Sequence, residues 1–302
     1  MSAIVDQPLV GTDAQHIFLR LRGNDAANAF VAEALPVSWE LHLDSAARAL
    51  VTEKLALLRE CTTEAAVDDV FAAARKEYDA AGFAALVSKD YEGGWSRTAA
   101  LTGLDRAAGH IVDVGNKNNK FGDFVLRTNS RCELFTGTDT HGAASVLTGE
   151  RLRFAHQERQ DEIPVPDASA DVVSFRLFLH HETTEVQEAL LREARRVLRP
   201  GGQIVIVEDS FSDGPALHNN ALTTKFGRLS ADDKLAVLAL LDASSCLLSA
   251  ERIPFAFTYR SVADWTAALR EAGCREVEST YWGYGAFTVY SAPMAILRAS
   301  MP

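Results

Sequence analysis

Short apolar runs alternate with amphipathic stretches from residue 110 onward, and this alternation is typical of a parallel sheet covered by helices. The run Ile204–Val207 has no polar position, as expected of a strand that is buried on both faces. The pattern predicts an α/β fold built on a doubly wound, Rossmann-like sheet. Its strands are predicted, in chain order, at Ile111–Val114, Glu133–Thr136, Leu152–Ala155, Asp171–Leu179, Gln203–Val207, Glu276–Tyr281 and Ala292–Leu297.

Apolar residues recur at helical spacing in several of the remaining segments. In Glu185–Leu198 they form one stripe along a single face, and Pro200-Gly201-Gly202 then stops the helix and turns the chain back. Further helices are predicted at Ser45–Arg59, Thr63–Phe83, Ala231–Leu248 and Val262–Ala272.

The change of pattern near residue 108 predicts two domains. Residues 1–107 have helical and irregular patterns, which indicate a helical N-terminal cap. Residues 108–302 form the predicted sheet domain, with a helical insertion at 211–257. We expect the cap to serve either a substrate pocket or an oligomer interface, so a homodimer is among the expectations.

Composition and charge narrow the classes of partner. Hydrophobic residues make up 47% of the 302 positions and charged residues 24%, which is typical of a globular protein with a full core. No apolar run reaches the ~18–20 residues of a membrane helix, and Met1–Val10 does not resemble a signal peptide. We therefore expect a cytoplasmic protein without a membrane partner. The net charge of −11 disfavours nucleic acid and favours a small-molecule substrate.

The four cysteines are scattered without CxxC spacing, which indicates reduced thiols and no zinc site. The acids Glu208 and Asp209, with His180 or His218, would offer ligands for a hard metal ion. No spacing motif supports such a site, so no metal is predicted.

Acidic residues and glycines follow the first two predicted strands. Asp113-Val114-Gly115 ends the first strand, and Gly137-Thr138-Asp139 ends the second, so that Asp139 follows Gly115 by 24 residues. An acid in this place can accept hydrogen bonds from both hydroxyls of a bound ribose. Nicotinamide and S-adenosylmethionine enzymes share this arrangement, so it does not decide between them.

Three later segments are more specific. In chain order they are Ile163–Val173 (IPVPDASADVV), Leu179-His180-His181 and Leu191–Gly202 (LREARRVLRPGG). Together they closely resemble segments of class I S-adenosylmethionine-dependent methyltransferases of the ubiquinone/menaquinone-biosynthesis type. That family carries a methyltransferase type 11 domain. Tyr259–Trp265 resembles the last helix of that family. The resemblance covers about residues 108–210 and 258–298. It implies a seven-stranded methyltransferase sheet, S-adenosyl-L-methionine as cofactor, and methyl transfer to a small molecule, such as a specialised metabolite.

The resemblance also implies where the cofactor binds. The residues expected to hold it lie in the first loop, after the second strand and in the fourth strand. They are Asp113, Gly115, Asn116, Lys117, Asp139, Thr140 and Arg176. Arg176 interrupts an apolar strand and needs an anionic partner, which is either a ligand carboxylate or a neighbouring acid, Glu208 or Asp209.

The candidate catalytic residues are His180 and His181, which follow the fourth strand. A histidine there can act as a general base because its ordinary pKa lies near neutral, although relatives carry the pair without needing one. Candidate substrate residues are Tyr91 and Trp95, whose π faces attract a sulfonium or an amine, and Glu208, which can bind a cation. Packing is the alternative for each aromatic.

The first loop departs from the family. The family has D-x-G-x-G-x-G, whereas Lys117 and Asn119 replace two of the glycines in this chain. Asparagine tolerates left-handed dihedral angles, so Asn119 is expected to keep the turn. Lys117 either contacts the methionine carboxylate of the cofactor or blocks the pocket.

Several functions therefore stay open. The chain binds the cofactor through modified contacts, uses it for cyclisation or aminocarboxypropyl transfer, or is a degenerate binding protein without it. A nicotinamide dehydrogenase is a weaker alternative, because the loop GNKNNKFG does not match GxGxxG.

Overall fold

The computed structural model describes residues 12–43, 45–81, 91–142, 146–247, 256–284 and 292–302. The chain divides into two compact units. The helical unit comprises Met1–Tyr91, His218–Tyr259 and Gly283–Pro293, and the sheet unit comprises Glu92–Leu217, Arg260–Trp282 and Met294–Pro302. The domains predicted over 1–107 and 108–302 stay a prediction.

The sheet has seven strands in the order β3-β2-β1-β4-β5-β7-β6. Neighbouring strands from β3 to β5 are parallel, whereas β7 runs antiparallel to β5. The α/β, Rossmann-like, seven-stranded class predicted from the sequence is confirmed. The strands are Gly109–Val114 (β1), Cys132–Asp139 (β2), Leu152–His156 (β3), Ala170–Arg176 (β4), Leu198–Asp209 (β5), Glu276–Tyr284 (β6) and Pro293–Ser300 (β7).

Helices occur in both units, and those of the sheet unit flank the sheet. In chain order they are Ile17–Arg20 (α1), Asp25–His42 (α2), Ser45–Glu60 (α3), Glu64–Ala81 (α4), Tyr91–Thr102 (α5), Lys120–Thr128 (α6), Thr184–Val197 (α7), Ala221–Gly227 (α8), Ala231–Cys246 (α9) and Val262–Glu271 (α10). The sequence patterns gave no bounds for α1, α2, α5, α6 or α8. None of the described helices is both long and apolar enough to cross a membrane.

Two apolar cores cover the two faces of the sheet, because successive side chains of a strand point to opposite sides. In β5, Ile204 and Ile206 belong to the core under α7 and α10, and Val205 belongs to the core under α6. All three are at most 1% exposed, which confirms that this run is covered on both faces. The apolar stripe predicted on α7 is likewise buried in the first core.

The helical unit contains both N-terminal helices and helices of the insertion. Every residue from Lys234 to Leu241 of α9 is buried, so this helix forms the centre of the unit. Phe30 of α2 packs with its ring centroid 5.6 Å from that of Phe226 in α8 and 5.8 Å from that of Tyr284.

Most strand bounds differ from the prediction by a few residues, and the differences in β4 and β5 have a visible cause. β4 was expected to reach Leu179 but ends at Arg176, and Leu177 has a left-handed φ of 51°. β5 was expected to begin at Gln203 but begins at Leu198, because Leu198 already pairs with Ala170 before the register shift at the Pro-Gly-Gly turn.

A buried glutamate explains the end of β4. The Oε1 atom of Glu208, in β5, accepts hydrogen bonds from the amides of Phe178 (2.8 Å) and Leu179 (2.6 Å). Its Oε2 atom contacts Nδ1 of His180, and the Glu208 side chain is fully buried. The amides that bind this carboxylate cannot continue a β ladder, so the chain turns into the 3-10 turn Leu179–His181. We call this arrangement the Glu208 clamp.

We expect Glu208→Ala to lower the free energy of unfolding by about 3 kcal/mol, because it leaves buried amides and a histidine without their acceptor. Urea unfolding measures this loss. The matched control Glu278→Ala removes an exposed glutamate of β6 and should change stability by less than about 0.5 kcal/mol. A loss equal to that of the control would show that the clamp does not hold the turn.

Candidate functional site

The polar residues predicted from the strand ends meet at one edge of the sheet, where the parallel strands β1, β2 and β4 end. Asp113 pairs in register with Gly137 of β2 and with Ser174 of β4. Ligands of open α/β sheets bind at this edge. We call it the carboxyl edge, and it contains Asp139 and Arg176 as the last residues of their strands.

The first loop turns at Gly115, which has a left-handed φ of 79°. The amides of Gly115 and Asn116 both donate to the carbonyl oxygen of Thr138, at 2.8 and 3.0 Å. A Cβ atom at position 115 would lie 2.4 Å from the ring of Phe178. Both the dihedral angle and the close ring require glycine there.

Asn119 adopts a left-handed φ of 60° and keeps the turn, as expected from the sequence. Its Nδ2 atom donates to the carbonyl oxygens of Leu147 (2.9 Å) and Arg153 (2.8 Å). Its Oδ1 atom is buried, has no hydrogen-bond partner in the described part of the chain, and lies 2.0 Å from where a Cβ atom of residue 137 would be. An asparagine side chain therefore fills space beside Gly137.

Asp113 and Arg176 form an ion pair at the carboxyl edge. Nε of Arg176 donates to Oδ1 of Asp113 at 3.0 Å and Nη2 donates to Oδ2 at 2.6 Å. The guanidinium carbon lies 3.6 Å from the ring centroid of Phe121. The sequence predicted an anionic partner for Arg176, and the protein supplies Asp113 instead of Glu208 or Asp209.

The same carboxylate has further partners. The hydroxyl of Ser174 and the Nδ2 atom of Asn116 (2.8 Å) both donate to Asp113, which is 1% exposed. Internal groups thus surround the carboxylate of Asp113, and the side chain that faces outward from this pair is Arg176, at 18% exposed. Its Nη1 atom has no hydrogen-bond partner among the described residues.

Asp139 is a half-buried acid at the end of β2. Its Oδ1 atom accepts a hydrogen bond from the amide of His141 at 2.6 Å, and Oδ2 has no hydrogen-bond partner in the described ranges. Burial raises the pKa of Asp139, and the positive charges of neighbours that include Lys117 partly oppose this. The hydroxyl of Thr140 contacts Nδ1 of His141 at 2.8 Å.

Glu182 is a site residue that the sequence reasoning missed. It follows the 3-10 turn at the end of β4, and it is half-buried. Burial and the negative charge of Asp139 raise the pKa of Glu182 to about 7. The signal was present in the sequence, since an acid that directly follows the two histidines must also lie at the carboxyl edge.

The two predicted histidines differ in their surroundings. His180 is 2% exposed, and its Nδ1 atom contacts the buried Glu208. The ring of His181 lies 4.2 Å from that of His180 and is only half-buried. Both oxygens of Glu208, which was predicted to bind substrate, have partners inside the fold.

The predicted aromatics lie on α5. Trp95 is half-buried, and its ring centroid lies 6.0 Å from that of Phe124 on α6, so it packs on the second core. Tyr91 is the first residue of α5, but its side chain lies outside the described residues. Their proposed roles with substrate stay predictions.

Comparison with known proteins agrees with the motifs. The family model described as a methyltransferase domain matches residues 119–206. The ubiquinone/menaquinone biosynthesis C-methyltransferase UbiE of Hahella chejuensis is 39% identical over 67 residues, which are 22% of this chain and 26% of that protein. The chain therefore matches about a quarter of the length of this curated relative.

The solved structure of PhzM supports the fold. The pyocyanin biosynthetic protein PhzM is similar over 92% of this chain and 72% of its own, with 15% identity and a TM-score of 0.51. The S-adenosylmethionine-dependent methyltransferase SibL is similar over 69% of this chain and 56% of its own, with 21% identity and a TM-score of 0.48. Residues 119–206 of the sheet unit thus match a methyltransferase domain model, and the chain has a fold similar to that of PhzM.

Proposed function

We propose that the protein transfers a methyl group from S-adenosylmethionine to a small-molecule acceptor. The observation that carries this proposal is the half-buried Asp139 at the carboxyl edge, whose Oδ2 atom makes no hydrogen bond with the described residues. A carboxylate in that state suits the two hydroxyls of a ribose, because hydrogen bonds to a charged acceptor are strong. The matched methyltransferase model covers this strand end.

The other end of the cofactor carries a carboxylate, and the edge offers cations for it. Nη1 of Arg176 and the ammonium of Lys117 are the candidates. The ion pair with Asp113 and the stacking on Phe121 fix Arg176 in place. Lys117 is half-buried and close enough to Asp139 to lower the pKa of that acid. Both residues would therefore bind and orient the cofactor.

When bound, the cofactor supplies an electrophilic methyl group on a sulfonium. The chain itself then has to position the acceptor and, where its nucleophilic atom carries a proton, to take that proton up. We assign this second task to Glu182, because its pKa of about 7 keeps a carboxylate available at neutral pH. The half-buried His181 is the second candidate base, whereas His180 is held by the Glu208 clamp.

A specific observation favours a second function. Lys117 and Asn119 stand where the family has glycines, and the side chain of Asn119 fills the space beside Gly137. Such a loop fits cofactor use for cyclisation or aminocarboxypropyl transfer, or a binding protein that has lost the cofactor. Calorimetry with S-adenosylmethionine, S-adenosylhomocysteine and NAD side by side separates these functions. A specialised metabolite as acceptor, a cytoplasmic location and a homodimer stay predictions.

Asp139→Ala should weaken the binding of S-adenosylhomocysteine by about 2–3 kcal/mol, the range for hydrogen bonds to a charged group. Calorimetry measures this change. The matched control is Glu133→Ala, which removes an exposed acid from the same strand and should leave the affinity unchanged. Equal affinity of wild type and folded Asp139→Ala would remove Asp139 from the site.

Lys117→Gly restores one of the two replaced glycines of the family loop and removes a cation. If Lys117 contacts the cofactor carboxylate, the affinity for S-adenosylhomocysteine should fall by about 1.5–3 kcal/mol. Lys120→Ala, which removes a neighbouring exposed lysine, is the control. A gain in affinity would instead identify Lys117 as an obstruction and favour the binding-protein alternative.

Glu182→Gln should change how stability depends on pH. The folded protein binds the Glu182 proton more tightly than the unfolded chain, so wild type loses stability as the pH rises from 4.5 to about 7. Glutamine does not titrate, so this loss is absent in the variant. The stability of the variant relative to wild type should therefore increase between pH 4.5 and about 7 and stay constant at higher pH. Thermal unfolding at pH 5 and pH 8 measures the difference.

The control for this experiment is Glu150→Gln, which changes an exposed glutamate of the sheet unit. If Glu182→Gln and Glu150→Gln have the same pH dependence, Glu182 titrates as an ordinary surface acid. It would then be unsuited to act as the base.

A further inference from the structure

A cavity of about 430 Å³ lies at the opposite edge of the sheet unit, where the parallel strands begin. It is lined by residues that follow α5, by residues that precede β1 and β2, and by the first residues of β4 and β5. A volume in this range is typical of sites for small ligands. We call this edge the amino edge of the sheet. None of the residues that line the cavity has a role in the proposed methyl transfer.

Arginines dominate the charge of this cavity. Its charged lining residues are Arg106, Arg131, Arg298 and a single acid, Asp171. A Cβ atom placed on Gly103 would lie 3.6 Å from Nη2 of Arg106 and 4.0 Å from Cζ of Arg298. Two guanidinium groups thus approach the same point, although like charges repel and the chain as a whole carries a net charge of −11.

The neighbouring acids are engaged with other groups. Oδ2 of Asp171 accepts hydrogen bonds from the amide of His110 and from Nη1 of Arg199, both at 2.7 Å. Asp105 pairs with Arg106 at 3.3 Å, but both side chains are exposed, and such a pair is weak. The lining therefore keeps an excess of positive charge.

Backbone contacts hold part of this arrangement in place. Nη2 of Arg298 donates to the carbonyl oxygen of Leu101, and Arg298 is half-buried in β7. Gly103, which has a left-handed φ of 78°, carries no Cβ atom beside these guanidinium groups. The side chain of Arg131 is exposed and makes no hydrogen bond or ion pair with the described residues.

We propose that this cavity binds the phosphate group of a small phosphorylated molecule. Guanidinium groups match phosphate oxygens in geometry, and several of them together neutralise its two charges. The cavity is larger than a phosphate ion, so the rest of the ligand also fits within it. The site is separate from the carboxyl edge and binds its ligand independently of the cofactor.

Calorimetry and thermal unfolding of the full chain test the proposal with inorganic phosphate as the probe, at constant ionic strength set by chloride. Phosphate should stabilise the wild-type protein in a saturable manner. Arg131→Gln should weaken phosphate binding about tenfold, because it removes one charge-assisted contact. Arg298→Lys keeps the positive charge but loses the planar guanidinium group, so it should also weaken phosphate binding.

The matched control is Arg270→Gln, which removes an exposed arginine at the end of α10 and should bind phosphate as wild type does. Arg131 is exposed, so its variant is expected to fold, and unchanged affinity for S-adenosylhomocysteine would confirm an intact sheet. Phosphate binding that is no stronger than that of chloride would overturn the proposal. Unchanged phosphate affinity in Arg131→Gln would also overturn the proposal. Stronger binding of citrate than of phosphate would overturn the assignment of the ligand as a phosphate.

Discussion

The carboxyl edge of the sheet depends on one buried carboxylate, that of Asp113. It joins three parts of the chain, since Arg176 and Ser174 of β4 and Asn116 of the first loop all donate to it. A buried acid is stable only where hydrogen bonds and an opposite charge replace water, and Asp113 has both. The position of the first loop relative to β4 therefore follows from a single ion pair and its hydrogen bonds.

The Glu208 clamp fixes the position of the residues that follow β4. By drawing the amides of Phe178 and Leu179 away from the sheet, it ends β4 and brings the residues after the turn to the carboxyl edge. Glu182 owes its place to this turn, and its raised pKa follows from the burial that the turn imposes and from the nearby Asp139. Two buried acids thus position the groups to which we assign binding and proton transfer.

The sequence predicted the sheet because burial on both faces leaves a direct mark, as in the uninterrupted apolar run Ile204–Val207. It also predicted the left-handed turn at Asn119, since few residues tolerate that conformation. It showed that Arg176 needs an anion but not which one, because the pairing with Asp113 depends on the register of β1 and β4. Strand ends set by a side chain from another strand, such as the end of β4, leave no local pattern.

The helices of the helical unit were predicted less completely than the strands, because their positions also depend on contacts between distant parts of the chain. The helix α2 contains Pro36, which in a sequence indicates the end of a helix, and α9 is buried along most of its length. A helix that is buried on all sides shows no periodicity, so its partners cannot be inferred from spacing. The grouping of insertion helices with N-terminal helices is a tertiary property that only the structure reveals.

The first loop keeps left-handed turns at Gly115 and Asn119 although it lacks two of the glycines that the resembling family has. Glycines let the backbone approach a ligand, and this chain retains one of them, Gly115, where Phe178 leaves no room for a side chain. At the other glycine positions it has side chains instead. Asn119 adopts the left-handed conformation without being a glycine. Two hydrogen bonds from its side chain to carbonyl oxygens hold the turn in place. Because Lys117 adds a cation near Asp139, we expect the proposed binding of a zwitterionic ligand at this edge to depend on charge more than on backbone approach.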